Sequence, residues 1–101
     1  MLITKRHPSI KPSHPGEIIA IGLEEKTVTR IELARALGIS RNTLYKLLDG
    51  RQGVTAEMAV RLAAVWGGSA EMWLGIQCDH DLWSARQTVD VTQLHRLHDA
   101  A

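Results

Sequence analysis

Residues 29–51 constrain the fold of this chain more than any other stretch. They contain two short apolar patterns at helical spacing, separated by a glycine at position 38. Thr29 followed by Glu32 is typical of a capping box, and Ser40 is a residue type that caps helix N-termini. Gly38 can adopt the left-handed conformation that ends a helix. The stretch therefore predicts a helix-turn-helix, with its second helix over about residues 40–49.

The apolar residues of both predicted helices lie on one side of each helix, where they can form a shared core. They are Leu33, Ala34, Leu37, Leu44, Leu47 and Leu48. The second helix keeps a polar face outside this stripe. Arg and Asn in the first turn of such a helix can each make two hydrogen bonds to the edge of a base in the DNA major groove. A helical hairpin with a merely solvated polar face is the alternative interpretation.

Two sets of residues are candidates for contact with DNA. The expected base-reading residues are Arg41, Asn42, Tyr45 and Lys46. The expected phosphate contacts are Arg30, Thr43, Arg51 and Gln52, which border the reading face. Basic residues are concentrated in this stretch: residues 30–51 carry five basic and two acidic side chains, a net charge of +3 in a chain whose net charge is +1. Residues 71–101 carry two basic against five acidic ones, which favours a second, cationic partner.

Three further helices are predicted around this element. The first starts at His14 and Pro15 and ends in the polar run 24–26, with Ile18, Ile19, Ile21 and Leu23 as its apolar side. The fourth follows Thr55 to about residue 66 and is apolar nearly all round, so it should be the most buried helix. Its one mid-helix charge, Arg61, should reach Glu57 or Glu32. The fifth follows Ser69 to about residue 87.

The fifth helix carries more apolar surface than one small core needs, which predicts a homodimer through the C-terminal region, with Trp83 near its centre. The expected interface residues are Trp73, Ile76, Leu82, Trp83, Val89 and Val91. Residues 88–92 alternate in a β-branched pattern, so residues 88–101 could form a short strand or a helical turn and could take part in contacts with a dimer mate or with another protein partner. Residues 1–13 are expected to form a flexible N-terminal arm, and residues 14–87 one DNA-binding domain.

Other classes of function find little support in the sequence. Cys78 is the only cysteine, which excludes an intramolecular disulfide and fits a reducing cytoplasm. The five histidines lack the paired-ligand spacing of a zinc site, so no metal is predicted. No nucleophile elbow, glycine-rich phosphate loop or paired carboxylates are visible, so neither catalysis nor a cofactor is assigned. No apolar run could cross a bilayer, and a cytoplasmic protein is expected.

Residues 14–87 resemble the HigA-type antitoxins, also called virulence-associated protein I, of the Xre/lambda-repressor-like helix-turn-helix superfamily. The matching blocks are His14-Pro15-Gly16-Glu17, Glu32-Leu33-Ala34, Leu37-Gly38-Ile39-Ser40-Arg41, Leu48-Asp49-Gly50-Arg51, Thr55-Ala56-Glu57-Met58-Ala59-Val60-Arg61-Leu62-Ala63, Trp73-Leu74-Gly75-Ile76-Gln77 and Asp81-Leu82. Relatives usually have Asn where Asp49 stands, and an acid there, close to the DNA backbone, is expected to weaken or tune DNA binding. Tyr is common where His80 stands.

The resemblance implies an all-α, five-helix lambda-repressor-like domain that acts as a homodimer on a palindromic operator and represses its own operon. It also implies a cognate partner, a RelE-like, ribosome-dependent mRNA endonuclease toxin that the protein neutralises. A stand-alone transcriptional repressor without a toxin partner is the alternative, because both proteins would need the same reading helix.

Overall fold

Five α-helices make up the domain in the computed structural model, which describes residues 10–97. They are α1 (Pro15–Glu25), α2 (Arg30–Leu37), α3 (Arg41–Leu48), α4 (Ala56–Val65) and α5 (Ala70–Thr88), and a 3-10 turn follows at Val91–Gln93. The all-α, five-helix prediction is confirmed, and of the two alternatives for the tail the described part is a helical turn. Most of the expected N-terminal arm, residues 1–9, and the last residues, 98–101, lie outside the described part of the chain. Within residues 10–97, no helix is long and apolar enough to span a bilayer.

The helix starts lie where the sequence places them, because each has a side chain that accepts a hydrogen bond from a free backbone N–H. Thr29 and Glu32 form the predicted capping box of α2, with Thr29 Oγ1 accepting from Glu32 N at 3.1 Å and Glu32 Oε1 accepting from Thr29 N at 3.3 Å. Ser40, Thr55 and Ser69 cap α3, α4 and α5 without a capping box, each side chain accepting from the N–H three residues further on.

A single aliphatic core joins the helices, with Trp73 as its one buried tryptophan. The core residues are Ile19, Leu33, Ala34, Leu37, Leu44, Leu47, Val54, Met58, Ala59, Leu62 and Trp73. The apolar faces predicted for α2 and α3 are among them. Two expectations are wrong. Ile18 and Ile21 of α1 are 37% and 58% exposed, and α4 is buried on one side only, since Val60 is 61% exposed.

The expected dimer residues of α5 do not share one surface. Residues nine apart on an α-helix differ by about half a turn, so Leu82 lies on the side of α5 opposite Trp73. Trp73 is 2% exposed and its Nε1 donates to the Gly67 carbonyl at 2.9 Å. The assignment of Trp73 to a dimer interface is therefore wrong, because its ring fills the core of one protomer. Ile76 packs partly against the same core.

Helix α1 approaches α3 so closely that only glycine fits at position 16. A Cβ atom on Gly16 would stand 2.0 Å from the Leu47 carbonyl oxygen, and this neighbour is backbone, which cannot rotate away. Gly75 of α5 differs, because a Cβ atom there would meet nothing within 4 Å. The contact at Gly16 sets the position of α1 relative to α3.

Gly16→Ala is expected to lower the free energy of unfolding by at least about 1–3 kcal/mol, the usual cost of overpacking. Gly75→Ala, the matched control, is expected to raise it by up to about 1 kcal/mol, because alanine is the better helix former. Urea unfolding followed by circular dichroism measures both. Equal effects of the two substitutions would contradict the close α1–α3 contact.

His14 is a buried histidine that caps α1. Its Nδ1 accepts from Gly16 N at 2.9 Å, and its ring meets that of His80 edge-on, with centroids 5.1 Å apart. Burial, and then the neighbouring His80, hold the pKa of His14 below its usual value of 6.5, against the opposing influence of Asp81 and Glu17. The sequence resemblance drew attention to position 80, but only the fold places it against His14.

Stability is therefore expected to fall as the pH falls below 6.5. Because the pKa of folded His14 lies below that of the unfolded chain, the unfolded state binds protons first, and the full contribution is present only above the unfolded value. His14→Asn keeps a capping acceptor without the titration, so it should lose less stability than wild type between pH 7.5 and 5.5. His95→Asn, at an exposed histidine, should lose as much as wild type. Unfolding at both pH values decides between these outcomes.

Candidate nucleic-acid interface

Helix α3 turns its leucines inward and its polar side chains outward. Leu44 and Leu47 are 0% and 1% exposed. At about 100° per residue, the direction opposite these two leucines passes through Asn42 and Asp49, with Tyr45 and Lys46 on either side. All four candidates for base reading, Arg41, Asn42, Tyr45 and Lys46, are exposed. Arg41 stands at the edge of this face, next to α2.

A shallow groove separates the start of α3 from α2. Its lining combines an apolar floor with two arginines, and consists of Ile31, Ala34, Arg35, Ile39 and Arg41. Arg35 is not among the DNA contacts predicted from the sequence. It belongs to the basic cluster of residues 30–51, but only the packing of α2 against α3 brings it to the groove that Arg41 also lines. The groove thus adds a second cation to the border of the reading face.

The turn between α2 and α3 is held from both sides. Gly38 ends α2 at φ 72° and ψ 33°, and the next N–H, of Ile39, donates to the Ala34 carbonyl at 3.0 Å. Arg61 of α4 donates through Nη1 to the Leu37 carbonyl at 2.8 Å and through Nη2 to Glu57 at 3.0 Å. The predicted pairing of Arg61 with Glu57 is confirmed, and the same guanidinium also closes the end of α2. The start of α3 is therefore fixed to α2 and α4 by hydrogen bonds on both sides of the turn.

The four expected phosphate contacts have different surroundings. Arg30 is exposed at the first position of α2, whereas Thr43 is half-buried and its Oγ1 accepts from the Ser40 hydroxyl at 2.9 Å. Arg51 pairs with Asp49 at 3.1 Å, with both side chains about 60% exposed. The N–H groups of Arg51 and Gln52 donate to the Lys46 carbonyl at 2.9 and 3.2 Å, which wraps this loop around the end of α3.

Gln77 of α5 anchors the loop that follows the recognition helix. It is 7% exposed, its Oε1 accepts from Val54 N at 2.7 Å and its Nε2 donates to Asp81 at 2.9 Å. Gly53 permits this approach, since a Cβ atom there would stand 3.1 Å from Gln77 Cδ. Gln77 was not predicted, because the contact joins residues 23 apart in sequence. It positions the loop of Arg51 and Gln52 but does not line the shallow groove between α2 and α3.

Arg30 and Arg51 are expected to contribute charge without sequence preference. Alanine at either position should weaken binding to specific and random DNA alike and reduce the salt dependence by about one unit of slope. The effect should be smaller for Arg51, because Asp49 already offsets its charge, and Asp49→Asn should strengthen binding. Titrations at several salt concentrations measure these slopes, and unchanged slopes for both arginine variants would contradict the assignment.

Two short helices joined by a tight turn at Gly38, the second with an exposed polar face, are the features of a helix-turn-helix domain. The Helix-turn-helix family (HTH_3) matches residues 19–72. Over 83 residues the chain is 45% identical to the "Uncharacterized HTH-type transcriptional regulator YddM" of Escherichia coli K12, covering 82% of this chain and 88% of that protein. It is 42% identical over 78 residues to "Antitoxin HigA-1" of Vibrio cholerae, covering 75% of this chain and 72% of the relative.

The fold agrees with a solved complex, "antitoxin GraA in complex with its operator", at a TM-score of 0.78 and 33% identity, covering 96% of this chain and all of that one. The chain belongs to the HigA-type antitoxin family of the Xre-like helix-turn-helix superfamily. The resemblance found in the sequence is confirmed.

Proposed function

We propose that this protein is a sequence-specific DNA-binding repressor that inserts α3 into the major groove of its operator. The observation that carries the proposal is the exposed face of α3, whose polar side chains are backed by fully buried leucines and a turn closed by Arg61. A relative of the same fold is known in complex with its operator. Arg41, Asn42, Tyr45 and Lys46 read bases, and Arg30, Arg35, Thr43, Arg51 and Gln52 contact phosphates.

The repressor acts as a homodimer on a palindrome, through the outer side of α5. This side presents small and apolar residues at spacings of four, four, three and four, which is the pattern by which two helices pack. We name it the α5 stripe, and it consists of Leu74, Cys78, Leu82, Ala85 and Val89. All five residues are exposed in one protomer. A second copy that covers the stripe would bury it on both chains at once.

The remaining expected interface residues border the α5 stripe. Val91 is 66% exposed just beyond α5. Trp83 is half-buried, and Lys11 Nζ lies 6.0 Å from its ring centroid, so part of the indole is covered within its own protomer. The centre of the interface is therefore assigned to Leu82 rather than to Trp83.

The protein also acts as an antitoxin, with a toxin of the RelE-like mRNA endonuclease class as its partner. Support comes from the family and from a relative named as an antitoxin. A stand-alone repressor would share the same reading helix, and a relative at 45% identity is named only as a transcriptional regulator. The two functions differ in whether a second protein is bound.

If the protein is an antitoxin, a short reading frame that encodes a basic protein is expected to overlap or adjoin its gene, and expression of that frame tests the antitoxin function. Its product alone is expected to arrest growth, and co-expression of this protein is expected to restore it. Arg41→Ala should still restore growth while it fails to repress the promoter, because the substitution lies on the DNA face. If the product of the adjoining frame does not arrest growth while this protein still represses the promoter, the stand-alone repressor is established instead.

A further inference from the structure

Helix α1 has an exposed outer side that the DNA-binding function does not use. Ile18 and Ile21 are 37% and 58% exposed there, whereas Ile19, on the inner side of the helix, is fully buried. At about 100° per residue, three exposed glutamates lie in the same 120° arc as the two isoleucines. We name this surface the acidic α1 face, and it consists of Glu17, Ile18, Ile21, Glu24 and Glu25.

The charge of the acidic α1 face is not offset by neighbouring cations. Within residues 10–97, the ion pairs are Asp49–Arg51, Glu57–Arg61 and His80–Asp81, and none includes a glutamate of α1. Helix α1 has no basic residue. The following Lys26 is directed elsewhere, since its Nζ lies 5.6 Å from the centroid of the Trp66 ring. Two exposed isoleucines thus stand among three unpaired carboxylates.

Three partners could cover the acidic α1 face: DNA, a second copy of this chain, or another protein. The exposed isoleucines and unpaired carboxylates argue against the first two. DNA is a polyanion and would be repelled by the carboxylates. A second copy of this chain, paired about a two-fold axis, would bring two sets of three carboxylates together. A protein with a cationic surface around an apolar patch is complementary in both respects.

We infer that the acidic α1 face docks the cationic RNA-binding surface of the toxin. This inference rests on the proposed function, because an endonuclease that acts on mRNA must present positive charge to its polyanionic substrate. The isoleucines supply the desolvated centre of the contact and the glutamates supply steering and orientation. Since the face points away from the core and is not part of α3, toxin and operator occupy different surfaces.

Binding of the purified product of the adjoining reading frame, measured by surface plasmon resonance, tests the inference. Replacement of Glu17, Glu24 and Glu25 together by Gln is expected to slow association about tenfold at low salt, with the difference shrinking as salt rises. Ile18→Ser with Ile21→Ser is expected to weaken binding about tenfold or more, mainly through faster dissociation.

The matched control is Val60→Ser with Glu71→Gln, two exposed positions on α4 and α5, which should bind the toxin as wild type does. Operator binding serves as the folding check, and all variants should retain it. If the α1 variants bind the toxin as tightly and as quickly as wild type, the acidic α1 face is not the docking surface, although the protein remains an antitoxin. If wild type itself binds no neighbour product, both the inference and the antitoxin function fail.

Discussion

Alanine at Arg41 or Asn42 is expected to weaken binding to the specific operator by about 1–3 kcal/mol each, and to change binding to random DNA much less. Both side chains are exposed in the first turn of α3, the turn that reaches base edges in the major groove. The guanidinium and the carboxamide can each form two hydrogen bonds to a single base, guanine and adenine respectively. The loss should therefore appear as a loss of specificity.

Titrations on operator and scrambled DNA at one salt concentration measure this difference. Arg96→Ala removes the same charge from an exposed position after the 3-10 turn, so it controls for net charge. The results for Arg41 and Asn42 are interpreted separately, because Arg41 also lines the groove that contains Arg35. Equal losses on both DNAs would make Arg41 a phosphate contact, and the same result for Asn42 would contradict base reading by this turn.

Leu82→Glu is expected to convert the proposed dimer to a folded monomer and to reduce affinity for the proposed palindrome by about 10²–10⁴-fold, the usual gain from linking two binding events. Leu82 is 44% exposed at the middle of the α5 stripe. A carboxylate there would lose its hydration on burial against a second copy and would have no cation to pair with. Half-sites about one helical turn apart, roughly 34 Å, require two reading helices at a fixed separation.

Sedimentation at micromolar concentration, together with operator titration, measures both effects. Val60→Glu makes the same change at an exposed valine of α4 and should leave the dimer intact. Cys78, the only cysteine, lies within the stripe, so a short bifunctional maleimide should link two wild-type protomers but not two Leu82→Glu protomers. A monomeric wild type, or a dimeric Leu82→Glu, would place the pairing surface elsewhere.

Local chemistry explains why so much of the fold follows from the sequence alone. Each helix begins at a side chain that accepts from its own first turn, such as Thr29 for α2 and Ser40 for α3, and these bonds span only three residues. The stop at Gly38 depends on the conformation of one residue. Because the polar face of α3 is what remains exposed after Leu44 and Leu47 are buried, helical period and composition were enough to identify it.

Some helices carry apolar residues on two sides, and only the tertiary structure decided which of these sides is buried. On α1 the core takes Ile19 and leaves Ile18 and Ile21 exposed, and on α5 it takes Trp73 and leaves Leu82 exposed. Sequence periodicity could not rank these faces, because burial depends on neighbouring helices that are distant in the chain.

Long-range contacts were decided in the same way. The hydrogen bond that Arg61 donates to the Leu37 carbonyl spans 24 residues, and the one that Gln77 accepts from the Val54 N–H spans 23. Neither is indicated by a local sequence pattern. The edge-on contact of the buried His14 with the half-buried His80 joins the start of α1 to α5. The sequence by itself thus determined the helices and the exposed polar face of α3, whereas packing between distant helices determined which other apolar and polar side chains remain exposed for partners.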